Sequence, residues 1–327
     1  VKTMMTACLS QSGLAFIPLL ILWVQISWNI LLAGCELCSV LQHRHRFELI
    51  DRRRLKRREG GVVLANERMK RVVVIGSGNV AEALVRTLGG VAGVEVVQLF
   101  ARNKERGMEV ASLVGCEWEC DEEKLAEADI YIISVSDRAV ADVARSLPFP
   151  EGAIVVHTAG SVPMSAIPER GGRRGILYAL QSFTKGRVIR LDKVPLFIEA
   201  DSAETRDSLM AFARLISSQV EYADSARRKH IHLAGVFVNN FTNHMYHIGA
   251  EVVEDEGLSF DVLKPLIEET ASKAVATNDP SMVQTGPAVR GDSGVTAEHI
   301  AMLKEDAERQ KIYKDITKSI WETSKKM

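Results

Sequence analysis

The chain has 327 residues, a formal net charge of −1 and 46% hydrophobic residues, enough for two domains with cores of their own. Residues 1–68 carry ten Lys/Arg against five Asp/Glu, leaving an acidic main body, which argues against a nucleic-acid partner because phosphate contacts need a basic face. Five cysteines are too few for a disulfide scaffold in a chain this long, so a reducing compartment, the cytoplasm, is expected.

Residues 1–68 read as a hydrophobic and basic N-terminal extension. No charge occurs between Lys2 and Glu36, and residues 14–33 are almost wholly apolar, long enough to cross a bilayer. The basic run Arg52-Arg53-Arg54-Leu55-Lys56-Arg57-Arg58 behind them would stay on the cytoplasmic side. One reading is therefore an inner-membrane anchor, with a membrane as partner only if residues 14–33 are genuine. The other is an over-extended start, because the chain opens on Val and Met69-Lys70-Arg71 stands directly before the first strand. Cys35-x-x-Cys38 with His43 and His45 has no recognised zinc spacing, and no metal is expected.

Val72-Val73-Val74-Ile75 predicts a strand buried on both faces, the first of a parallel sheet. It runs into Gly76-Ser77-Gly78-Asn79-Val80-Ala81, a GxGxxA dinucleotide fingerprint. Gly76 permits the tight turn, Gly78 admits a pyrophosphate to bare backbone, and Ala81 lets the following helix pack close. The phosphates would rest on that helix's N-terminal N–H groups. After the second strand, Val94–Phe100, the usual ribose-binding acid is missing, and Arg102-Asn103 stand there with Lys104 and Arg106 beyond. A guanidinium suits a 2′-phosphate, so NADP is expected rather than NAD.

A helix is predicted over Glu122–Ala128 and a strand over Asp129–Val135, after which Val135 and Ser136 are candidate ribose contacts. The strand Ala153–Val156 ends in His157-Thr158-Ala159-Gly160-Ser161. Small residues Thr158, Ala159 and Gly160 would let a nicotinamide lie against backbone, and His157 is either an acid/base or a packed side chain. Tyr178–Thr184 and Pro195–Ala200 are expected as closing strands, with Gln181 and Ser182 facing the cleft as substrate residues.

Residues 224–256 form one long helical pattern. At about 100° per residue, His232, Asn239, Asn243 and Tyr246 share a stripe opposite Phe237, Phe241, Met245 and Ile248. Imidazole and amides are costly to bury without partners, so this stripe faces either a substrate or another structural element. The segment Gln284–Asp292, rich in Gly and Pro, is expected to be irregular. Its Arg290 would either anchor a substrate carboxylate or pair with Asp292.

From Met69 onward the chain resembles a bacterial family that joins a Rossmann-like domain to a conserved domain of unknown function. Its members are labelled NADP oxidoreductases and are related to pyrroline-5-carboxylate reductases. The resemblance rests on the fingerprint, His157–Ser161, Gln181-Ser182-Phe183, His232-Leu233-Ala234 with Asn239-Asn240-Phe241, and Thr285–Asp292. It implies an α/β fold in which a doubly wound parallel Rossmann sheet, residues 69–223, precedes an all-α domain, residues 224–327. That second domain would be similar to the C-terminal part of 6-phosphogluconate dehydrogenase and would pair two chains as a homodimer.

Related β-hydroxyacid dehydrogenases place a catalytic lysine one turn before an asparagine on the long helix. Gly235 and Val236 stand there in this chain, and Lys229 is too far back. His232 is therefore the expected general acid/base, with Asn239 and Asn243 orienting substrate. The expected activity is NADP-dependent hydride transfer between nicotinamide and a small C=O or C=N substrate bearing a carboxylate. A non-catalytic NADP-binding sensor or regulatory protein is the alternative.

Overall fold

The computed structural model describes residues 69–326 apart from residue 171; both readings of residues 1–68 fall outside them. No helix among the described residues is long and apolar enough to cross a membrane.

Eight strands form one sheet. They are β1 (Lys70–Ile75), β2 (Val94–Phe100), β3 (Glu117–Glu119), β4 (Ile130–Ile133), β5 (Ile154–His157), β6 (Arg173–Ala179), β7 (Leu196–Ala200) and β8 (Val220–Tyr222). Their spatial order is β3-β2-β1-β4-β5-β6-β7-β8, and every pair is parallel except β6 with β7. The chain order reverses between β1 and β4, which opens a crevice at their carboxyl ends. The interleaved helices are α1 (Asn79–Leu88), α2 (Lys104–Ser112), α3 (Val140–Ser146) and α4 (Ala203–Arg214).

Side-chain alternation along β1 divides the core. Val72 and Val74 pack with Ala81, Leu84, Val85 and Leu88 of α1. Val73 and Ile75 point to the other face, with Tyr131, Ile133 and Ala144. Both faces are dry, which explains the unbroken β-branched run.

Two segments depart from expectation for visible reasons. The helix expected over Glu122–Ala128 is a single 3₁₀ turn, Glu122–Lys124. The buried Gln98 side chain donates to Lys124 O and accepts from Ala126 N, both at 3.0 Å. Tyr131 Oη donates to Ala126 O and accepts from Ala128 N, so two core side chains take the backbone groups that a helix would have used. The strand expected over Tyr178–Thr184 lies earlier, at Arg173–Ala179. Its ladder ends at Ala179 opposite Leu196: Leu180 N still donates to Pro195 O at 3.0 Å, but Pro195 has no N–H to return.

The C-terminal helices are α5 (Ser225–Gly235), α6 (Thr242–Glu254), α7 (Lys264–Val275), α8 (Pro287–Arg290), α9 (Ser293–Met302) and α10 (Ala307–Ser324). The long helical pattern is real but interrupted: residues Val236–Phe241 between α5 and α6 form a π-helix. The segment expected to be irregular contains the short turn α8, entered through Gly286 and left through Gly291, both at positive φ.

Candidate active site

A cavity of about 960 Å³ opens at the carboxyl ends of β1, β2, β4 and β5. Its wall comprises Gly76 to Val80, Arg102 and Asn103, Val135 and Ser136, Thr158 to Gly160, Phe183 and His232, among others. All the residues expected at a cofactor therefore line it except Ala81, which is fully buried under the sheet.

The fingerprint turn has the geometry a pyrophosphate needs. Gly76 adopts φ +116°, and a Cβ there would sit 2.3 Å from Ser134 O, so only glycine fits. A Cβ on Gly78 would meet nothing within 4 Å. Gly78 is also the N-cap of α1 and supplies no side-chain cap, which leaves the helix's first N–H groups available to an anion above it.

Arg102 and Arg106 have different surroundings. Arg106 is ion-paired with Glu82 and, at 2.7 Å, with Glu109, and its Nε donates to Ser77 O at 3.3 Å. It braces the turn from outside. Arg102 is exposed on the cavity wall, and among the described residues no carboxylate pairs with it. Asn103 accepts from Arg106 N at 2.9 Å and so caps α2.

His157 is packed. It is fully buried; its Nδ1 accepts from Ala159 N at 3.2 Å, and Nε2 lies 3.3 Å from Pro163 O. Burial holds its pKa down to about 4. The ring is neutral near pH 7 and shapes the Thr158–Gly160 loop from behind.

His232 is the one residue of the C-terminal helices on this wall. It is brought there by Arg228, one turn earlier on α5, which was not anticipated. Arg228 is fully buried; it forms an ion pair with Glu199 of β7 and donates to Val162 O. Ser225 Oγ donates to the same carboxylate at 2.9 Å. Phe183, which the sequence marks only as the end of the Gln181-Ser182-Phe183 motif, lines the cavity, and its carbonyl accepts from Asn79 Nδ2 at 3.0 Å.

The remaining expected site residues lie elsewhere in the single chain. Gln181 and Ser182 are exposed and absent from the cavity wall, as are Asn239, Asn243 and Arg290. The π-helix breaks the 3.6-residue period on which the His232–Asn239–Asn243 stripe was built. Asp292 caps α9 through Val295 N at 3.1 Å, and no Arg290–Asp292 ion pair is present among the described residues.

Residues 71–160 match the family model described as NADP oxidoreductase, coenzyme F420-dependent, and residues 194–320 match that of a domain of unknown function, DUF2520. A Bacteroides fragilis protein assigned as an NADP oxidoreductase is 39% identical, with 77% of this chain and 98% of that one covered and a TM-score of 0.72. A reductive aminase from Aspergillus terreus, solved with NADPH and ethyl-5-oxohexanoate, is 13% identical over 77% of this chain and 93% of its own, with a TM-score of 0.59. A 1-pyrroline-5-carboxylate reductase from Streptococcus pyogenes is 11% identical over 79% and 99%, with a TM-score of 0.53. No curated protein matches the chain. The two distant structures share the fold, whereas the Bacteroides identity and the paired family models show that this chain belongs to the NADP oxidoreductases that join a Rossmann domain to DUF2520.

Proposed function

We propose that the protein reduces the C=O or C=N bond of a small carboxylate-bearing molecule, with His232 as the proton donor. The observation that carries this reading is the placement of His232: it is the single side chain from the C-terminal helices on the cavity wall. Gly76 to Ala81 would hold the pyrophosphate at the N-terminus of α1. Arg102 would take the 2′-phosphate, Asn103, Val135 and Ser136 the ribose edges, and Thr158 to Gly160 the nicotinamide end. Bound NADPH supplies the hydride. As hydride reaches the carbon, the heteroatom needs a proton, and an imidazolium near neutral pH can give one and return to neutral imidazole.

Gln181, Ser182, Asn239, Asn243 and Arg290 would orient the substrate and its carboxylate in a homodimer, where a second chain covers the helices. Support for pairing comes from the exposed apolar side chains there, with Phe237 59% and Val238 76% accessible; clusters of this kind mark interaction surfaces.

The test follows NADPH absorbance across a panel of 2-oxo acids, cyclic imino acids and their uncharged analogues. Turnover of a carboxylate-bearing member, abolished in His232→Ala while NADPH still binds, is the expected result. Equal turnover by His232→Ala rejects the proton-donor role, and preference for the uncharged analogues rejects the carboxylate. Sedimentation should show a dimer that Phe237→Glu dissociates; a wild-type monomer rejects the pairing.

A further inference from the structure

His232 meets a partner from the sheet that its role as proton donor does not by itself require. Tyr178, on β6, is 8% exposed, and its Oη lies 3.2 Å from His232 Nδ1. The two rings meet edge to face with centroids 6.1 Å apart. Gly160 makes the approach possible: a Cβ there would stand 2.7 Å from His232 Nδ1 and 2.9 Å from the Tyr178 ring. The third small residue of the cavity loop is therefore also the space in which a tyrosine and a histidine touch.

We propose that Tyr178 is a positioning residue that commits Nδ1 of His232 to the sheet and leaves Nε2 as the nitrogen that serves the cavity. This rests on the reading of His232 as the proton donor. A hydroxyl hydrogen buried with its oxygen needs an acceptor, and among the described residues His232 Nδ1 is the partner of Tyr178 Oη. The hydroxyl donates, Nδ1 accepts, and the neutral ring carries its proton on Nε2. In the imidazolium the same contact reverses without the ring turning: Nδ1–H donates to the tyrosine oxygen, and Nε2–H is the proton left for the substrate. Burial pushes the Tyr178 pKa up, which keeps the hydroxyl protonated while the ring changes state. The charges packed around the pair are fixed ones: Arg228 on α5 is bound to Glu199 of β7, and Asp137, after β4, holds Ser161 Oγ.

The experiment is nitrogen-15 NMR of the imidazole rings in the full chain with NADP⁺ bound, with His232 assigned by loss of its signals in His232→Asn. The pH is raised until the ring is neutral. The expected spectrum has the proton on Nε2 and Nδ1 shifted as a hydrogen-bond acceptor. Tyr178→Phe should move Nδ1 toward the position of an unbonded acceptor nitrogen, and Gly160→Ala should do the same with the hydroxyl still present. NADPH titration of Tyr178→Phe reports whether that variant is folded, and if it is not, the wild-type spectrum decides alone. A wild-type neutral ring protonated on Nδ1, or an Nδ1 resonance indifferent to Tyr178→Phe, overturns the proposal. These outcomes are independent of turnover: loss of the proton-donor reading with the Nδ1 bond intact would show a histidine correctly held but not used.

Discussion

The sheet and the C-terminal helices bury their side chains very differently. Strands β1, β4 and β5 are dry on both faces, and their residues form two clusters with the flanking helices. Beyond Arg228 no described residue is buried, while Leu266 is 63%, Val275 87% and Met302 76% exposed. Burial of apolar surface is the main favourable term in folding, so the sheet is self-sufficient, whereas the helices have apolar surface still to cover. The two regions meet through α5, whose Arg228 is locked under the sheet and whose His232 reaches the cavity. Chemistry placed at such a junction depends on the rigid half for its geometry.

The largest effect should come from the residue that crosses the junction. His232→Ala is expected to lower turnover by about 10²–10⁴-fold, the range for a positioned acid/base. NADPH affinity, which the proposed cofactor site assigns to the sheet, should stay within about twofold of wild type, because no fingerprint contact is touched. A parallel loss of NADPH binding would mean that the two regions are not separable in this way.

The next effect is on stability. Arg228→Met leaves Glu199 buried without its cation, and breaking one side of such a pair costs about 3–5 kcal/mol. Urea unfolding should show that loss in the single variant and its recovery in Arg228→Met with Glu199→Leu, since two apolar groups need no partner. If the double variant is as unstable as the single one, the pair contributes net attraction rather than placement.

What the sequence disclosed follows the same division. The place of the fingerprint, Arg102 and Thr158–Gly160 on the cavity wall was legible because each stands at a fixed offset from a strand end, so local pattern places it. The helix over Glu122–Ala128 does not form because Gln98, from a strand 26 residues back, and Tyr131, just beyond the segment, capture its backbone. The regular spacing of the stripe on the long helix is interrupted at the π-helix, which no periodicity of 3.6 can reveal. Tyr178 with His232 and Glu199 with Arg228 are meetings across 54 and 29 residues. Neither pair carries a local signature.

His157 tests the sheet half alone. Its folded pKa is about 4 against an ordinary 6.5, so between those values the unfolded chain binds a proton that the folded chain refuses. Stability is complete above pH 6.5 and is lost as the pH falls toward 4, by on the order of 3 kcal/mol. Thermal unfolding at pH 7 and pH 4.5 should show a larger drop for wild type than for His157→Gln. Equal drops would assign the acid sensitivity to other groups.

The smallest effect concerns cofactor choice. Arg106 is already held by Glu82 and Glu109, which leaves Arg102 as the guanidinium on the cavity wall at the end of β2. Hydrogen bonds to a charged group contribute about 1.5–3 kcal/mol, or roughly 10–100-fold in affinity. Arg102→Ala should weaken NADPH by that factor in a fluorescence titration and leave NADH, which has no 2′-phosphate, nearly unchanged. Arg106→Ala makes the contrast sharper: it removes a brace from Ser77 O and should weaken both cofactors alike. Selective loss of NADPH in Arg106→Ala instead would move the 2′-phosphate from the exposed arginine to the paired one, and would mean that Glu82 releases it when the cofactor binds.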